Sequence, residues 1–153
     1  MKILVPVDGS EPALEALRHV LGLFGGGLKA SLVLATVQEP VYLFERLLPA
    51  DAEVLERLTG AVGTRALAEA EALCKAAGVA YDREIVSGDA AQAVLDLAAA
   101  RICDAIVMGA RGLGALKGAL LGSVSQRVLQ EAQVPVTVVK QRPSAALAAA
   151  SAT

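Results

Sequence analysis

The sequence predicts a single α/β domain with a largely parallel sheet, and three observations carry that prediction. Five short apolar runs alternate with longer stretches of helical period, the pattern expected when each strand reaches a parallel neighbour through a helical crossover. Three of the runs, ILVPV, LVLATV and AIVM, are apolar on both faces, as strands between two helical layers must be. The length, 153 residues, suits one compact core burying on the order of 70% of the surface the unfolded chain exposes.

The first run, ILVPV at 3–7, leads into Ser10, an N-cap for a helix with Glu11 and Pro12 in its first turn. That helix shows an apolar face of Leu14, Leu17, Leu21 and Phe24 and stops at the glycines 25–27. His19 falls off this face and reads as a solvated helix residue rather than a catalytic base. The second run, SLVLATV at 31–37, is followed by a helical stretch from about Asp51 to Ala77 with Val62, Ala66, Ala70, Leu73 and Ala77 in register. Gly60 and Gly63 weaken its first half, and Gly78 fits its C-cap. The third run, VAYDREIV at 79–86, alternates polar and apolar residues and belongs at a half-exposed edge. Asp89 can cap a helix through Ala100, the fourth run is AIVMG at 105–109, a last helix spans 123–132, and VPVTVVK at 134–140 closes the pattern. No repeat or linker divides residues 1–141, whereas 142–153 form a small-residue tail expected to be mobile.

Composition excludes several classes of function. With 55% hydrophobic and 20% charged residues the chain is too apolar to be disordered, and no run reaches the roughly 18 apolar residues of a membrane span. The opening MKILVPVDGS has too short an apolar run for a signal peptide, so the expectation is a cytoplasmic protein. A net charge of −2, dispersed basic residues and 3% aromatics without Trp argue against nucleic acid as a partner. Cys74 and Cys103 lie far apart and read as reduced, buried small hydrophobes, and one histidine with no His/Cys cluster leaves no protein-built metal site.

The segment that carries chemistry follows the fourth run. Gly109, Gly112, Gly114, Gly118 and Gly122 are costly in chain entropy, so something there needs close backbone approach or positive φ. A phosphate meets that need. Gly122 and Ser123 stand where a helix begins, so their amides and the Ser123 and Ser125 hydroxyls can face an anion, with Arg111 and Lys117 adding positive charge. A P-loop is excluded because Lys117 precedes Gly118 and no hydroxyl residue follows it. A dinucleotide fingerprint belongs after the first strand, where this chain has VDGSEP instead. A surface loop without ligand is the competing reading of the same glycines.

The spacing Gly109-x2-Gly112-x9-Gly122-Ser123, together with VPVDGSEP, ATVQEP and the terminal VPVTVVK, resembles the universal stress protein family from Met1 to about Gln141. The resemblance implies a five-stranded parallel sheet of order 3-2-1-4-5 with helices on both faces, and the subset of the family that binds ATP. It implies that Asp8 contacts the ribose, that the Val37 backbone meets the adenine, and that Gly109, Gly112, Gly122, Ser123 and Ser125 hold the phosphates. Arg111 is the nearby positive charge, and Mg²⁺ is expected to arrive on the phosphates rather than in a protein cage. An Asx-turn at Asp8 and plain core at Val37 are the alternatives. Gly114 and Gly118 depart from the family pattern and leave the role of Lys117 open. No Gln or carboxylate lies in the glycine loop to orient a water, and the only acids near the strand ends are Asp8 and Glu39, so the expectation is a nucleotide-responsive stress module with little or no turnover. A slow ATP hydrolase or nucleotidyl-transfer enzyme, and an interaction protein without nucleotide, are the other readings.

The last run would be a sheet edge in that order. It has Val134, Val136 and Val138 on one face, Thr137 and Val139 on the other, and Lys140 alone as a gatekeeper. Pro135 removes one donor and leaves the amides of residues 136–140 for a homodimer through strand 134–140, which the resemblance also implies. A tail folded back over the edge would give a monomer instead.

Overall fold

The computed structural model describes residues 1–39, 52–112 and 120–142, apart from the side chains of residues 52, 55, 56 and 59. The start of the second helix at Asp51, the loop residues Gly114, Lys117 and Gly118, and the tail from residue 143 lie outside them. Five parallel strands, β1 (Lys2–Pro6), β2 (Ser31–Gln38), β3 (Tyr81–Ser87), β4 (Ala105–Gly109) and β5 (Val136–Val139), stand in the order β3-β2-β1-β4-β5. The helices among the described residues are α1 (Glu11–Gly25), α2 (Ala52–Ala77), α3 (Ala90–Ala100) and α4 (Ser123–Glu131).

Side-chain alternation sorts the core into two layers. Ile3 and Val5 of β1 and Val7 just beyond it, with Leu32, Leu34 and Val107, pack under α1 and α2 through Leu14, Leu17, Val20, Leu67 and Cys74. Leu4, Val33, Ala35, Ile106 and Met108 point the other way, toward α3 and α4 through Val94, Leu97 and Val128. The three runs that are apolar on both faces are thus the three central strands. β1 and β4 are neighbours whose following helices leave to opposite faces, which opens a crevice beyond their carboxyl ends.

Helix ends follow their sequence signals. The Ser10 side chain accepts from the Ala13 amide and Asp89 from the Gln92 amide at 2.9 Å. Gly78 takes φ +67 after α2, where its amide and that of Val79 donate to Lys75 and Cys74 carbonyls. His19 is exposed, as expected.

Two helix faces differ from expectation. On α1 the buried residues are Ala13, Leu14, Ala16, Leu17 and Val20, while Leu21 and Phe24 are only partly buried. On α2 the buried stripe is Gly63, Leu67, Ala70 and Cys74, and Val62 is 57% exposed. Gly63 is there for packing: a Cβ at this position would stand 2.7 Å from Ile85 Cγ2.

At the β5 edge, Val136 and Val138 pack toward α3 and α4, and Val139 toward α1. Pro135 and Val139 carbonyls accept from Ile106 and Ala110. In a parallel ladder, alternate residues face the same neighbour, so Thr137 also points inward and the outward groups belong to Val136, Val138 and Lys140. The expectation that all amides of 136–140 are available is corrected to these alternate ones.

Candidate functional site

A cavity of about 490 Å³ opens at the carboxyl ends of β1, β2 and β4, and all eight candidate residues line it: Asp8, Val37, Gly109, Arg111, Gly112, Gly122, Ser123 and Ser125. They come from four separate stretches of chain, brought together by the strand order.

After β1 the chain turns through Gly9, at φ +82. Asp8 Oδ1 accepts the Ser10 amide at 2.9 Å, so the Asx-turn exists, and the same side chain also lines the cavity. Its Oδ2 lies 2.5 Å from where a Cβ on Gly112 would stand. A side chain at 112 would therefore displace the carboxylate.

Gly109 has a different reason to be glycine. A Cβ there would stand 2.7 Å from the carbonyl carbon and oxygen of Pro12 and 3.0 Å from the Ala13 nitrogen. The first turn of α1 thus rests directly on the end of β4, and packing explains this glycine before any ligand is considered. At Gly122, by contrast, φ is −76 and the nearest atom to a built Cβ is Arg111 Cα at 3.5 Å. Among the described residues, neither backbone conformation nor protein contact demands glycine at that position.

The cavity reaches the start of α4, whose N-cap is Gly122 and which no side chain caps. Its first-turn amides have no intrahelical acceptors, and they mark the positive end of the helix dipole. Ser123 is exposed at the rim. Ser125 is only 2% exposed, and its hydroxyl donates to the Ala110 carbonyl at 2.7 Å and lies 3.0 Å from that of Gly122. The expectation that this hydroxyl faces an anion meets a proton already committed inward.

The floor is apolar. Ala35 and Met108 come from the buried strands and Val94 from α3, with half-buried Val37 beside them. Val37 thus touches both the core and the cavity. Ala35, Met108 and Val94 were missed by sequence reasoning because their only signal, burial in a strand or helix face, also marks ordinary core. Glu39 joins Asp8 as a lining carboxylate, and among the described lining residues Arg111 is the one cation.

Arg127 has no signal in the sequence, yet it ties the two helices beside the cavity. It donates to Asp89 Oδ1 at 2.6 Å, to Gln92 Oε1 at 2.9 Å and to Glu131 Oε1 at 3.0 Å. The Asp89 carboxylate thereby caps α3 and holds α4.

The model of the universal stress protein family matches residues 1–140. A universal stress protein of Thermus aquaticus, named for its position in the QAH/OAS sulfhydrylase 3′ region, is 38% identical over 141 residues, spanning 90% of this chain and 97% of its own. Among solved structures, the hypothetical protein MJ0577 is 30% identical with a TM-score of 0.75, covering 94% of this chain and 97% of its own. A universal stress protein in complex with cAMP is 27% identical with a TM-score of 0.64, covering 92% and 96%.

Proposed function

The chain belongs to the universal stress protein family, and from that premise we propose that it is a cytoplasmic module that binds ATP in the cavity at the carboxyl end of its sheet, with little or no turnover. The carrying observation is that four separate segments converge on one cavity whose polar end is a helix N-terminus without a side-chain cap. The purine lies on the apolar floor by Val37, the ribose by Asp8, and the phosphates by Gly112, Gly122, Ser123 and Arg111, with Gly109 behind them. The similar structure that holds cAMP supports an adenine nucleotide as the ligand class.

The charge of the lining supports a metal-bound nucleotide. Among the described lining residues, two carboxylates, Asp8 and Glu39, stand against one guanidinium, Arg111, a formal −1 for those side chains. They do not neutralise a triphosphate, so Mg²⁺ enters on the phosphates and supplies the missing positive charge.

Calorimetric titration with ATP and Mg²⁺ tests the reading. A micromolar site, about −8 kcal/mol, would stabilise the fold by about 2.7 kcal/mol at 100 times Kd. Gly112→Val should abolish this by displacing Asp8 and filling the phosphate path, and chelation of Mg²⁺ should weaken ATP more than adenosine. A parent protein that shows neither heat nor thermal shift with ATP would overturn the assignment. Single-turnover assay separates a binding module, which retains ATP, from a hydrolase, which releases steady product. The proposal includes assembly: the outward groups of β5 pair two copies into a homodimer.

A further inference from the structure

We infer that Ser125 is a positioning residue that fastens the phosphate end of the cavity to the sheet, rather than a group that touches phosphate. This rests on the nucleotide reading above for its functional consequence, but its structural content is independent of it.

The geometry centres on one carbonyl. Ala110 follows β4 and is held to the sheet by its own amide, which donates to Val139 at 2.9 Å. Its carbonyl accepts two donors from beyond the glycine segment, the Gly122 amide at 2.7 Å and the Ser125 hydroxyl at 2.7 Å. A carbonyl oxygen has two lone pairs, so both are satisfied at once. The first turn of α4 is therefore clasped to the end of β4 by two hydrogen bonds, one from the backbone and one from a buried side chain.

That clasp decides which groups remain for an anion. A serine hydroxyl has a single proton, and at 125 it has two protein acceptors, the Ala110 carbonyl at 2.7 Å and, less closely, that of Gly122 at 3.0 Å. The Gly122 amide is spent on the Ala110 carbonyl. Among the described residues of α4, the groups left at the mouth are the amides of the first helical turn and the Ser123 hydroxyl, beside Arg111. Such amides favour an anion only if they are aimed before it arrives, because ordering them on binding would consume part of the affinity. Gly122 has no side chain to cap or stiffen this turn. Ser125, buried one residue past Val124, is the side chain that does so.

The test compares the parent with Ser125→Ala and Ser125→Thr in two measurements on the full chain. In nucleotide-free protein, hydrogen exchange is followed at the amides of Gly122 and Gln126, which donate to Ala110 and Gly122. In parallel, affinities for Mg²⁺-ATP and for adenosine are measured by calorimetry. Loss of one buried hydrogen bond should speed exchange in Ser125→Ala by about tenfold and weaken ATP about tenfold relative to adenosine. Ser125→Thr, which keeps the hydroxyl, should restore both.

Unchanged exchange with weakened ATP would mean that the hydroxyl contacts phosphate, and would overturn the inference. Equal losses for ATP and adenosine would mark a general packing role and overturn it as well, as would no change in either measurement. If Ser125→Thr proves too large for the site, Ser125→Cys, of similar shape but a weak donor, should fall between parent and alanine in both readouts. A parent that binds neither ligand overturns the nucleotide reading and with it the functional half of this proposal, while the exchange rates still decide the clasp.

Discussion

Ile102 is the one non-glycine residue at positive φ among those described, at +51, and its side chain is 81% exposed. It follows α3 where a left-handed residue closes the helix, with its amide on Ala99 and that of Cys103 on Ala98. A β-branched side chain there is strained by about 1–2 kcal/mol and buries nothing in return. Ile102→Gly should therefore raise stability by up to about 1 kcal/mol after the glycine's own entropy is counted, measurable as a shift of the urea midpoint at constant slope. A lower midpoint would show that the side chain makes contacts that its exposure does not reveal. At the same scale, the candidate glycines were legible as a group but not by role. Gly109 carries α1 against β4 and Gly112 leaves room for Asp8, and spacing alone does not separate close packing from ligand approach.

The elements show where periodicity informs and where it fails. α1 was legible in its cap and its end, but its buried face includes Ala13 and Ala16, small residues that let a helix approach the sheet and that a search for large apolar side chains passes over. In α2 alanines occupy every face, so the sequence pattern carries little phase, and the buried stripe runs instead through Gly63, Leu67, Ala70 and Cys74. Gly63→Ala sets two effects against each other. Helix propensity gains up to about 1 kcal/mol, whereas forcing a methyl to within 2.7 Å of Ile85 Cγ2 costs about 1–3 kcal/mol in a packed site. The substitution should destabilise the parent and become neutral or stabilising in an Ile85→Ala background. Additive effects in that double-mutant cycle would separate the two residues.

On the scale of the whole molecule, the alternation of runs carried only the parallel α/β class, whereas the sheet order and the meeting of Asp8 and Val37 with the glycine segment were legible through the family resemblance, because several strand orders satisfy the same alternation. The proposed assembly uses that order. β5 ends the sheet with outward groups at Val136, Val138 and Lys140, and in the proposed dimer a two-fold axis beside Val138 would let two copies pair antiparallel. Light scattering should give a dimer mass for the parent and a monomer for Val138→Lys, in which two cations meet across the axis. A monomeric parent, or a dimeric variant, removes this edge as the interface.

Cys74 and Cys103 are buried free thiols, one beneath each helical layer. Burial pushes the Cys74 thiol up to about 11, with the charge of Glu71 adding to it, and burial likewise raises Cys103. At neutral pH the folded protein thus offers a disulfide reagent almost no thiolate, and modification must wait for the layers to part. The labelling rate becomes a clock for opening, read separately on the two faces of the sheet. Cys103, just past the end of α3, should react on local fraying of that helix. Cys74, with its side chain sealed between α2 and the sheet, should react only on global unfolding. If ATP binds as proposed, a concentration of 100 times Kd should slow the Cys74 clock about a hundredfold while leaving the Cys103 clock less affected. Equal slowing of the two would mean that both faces open together.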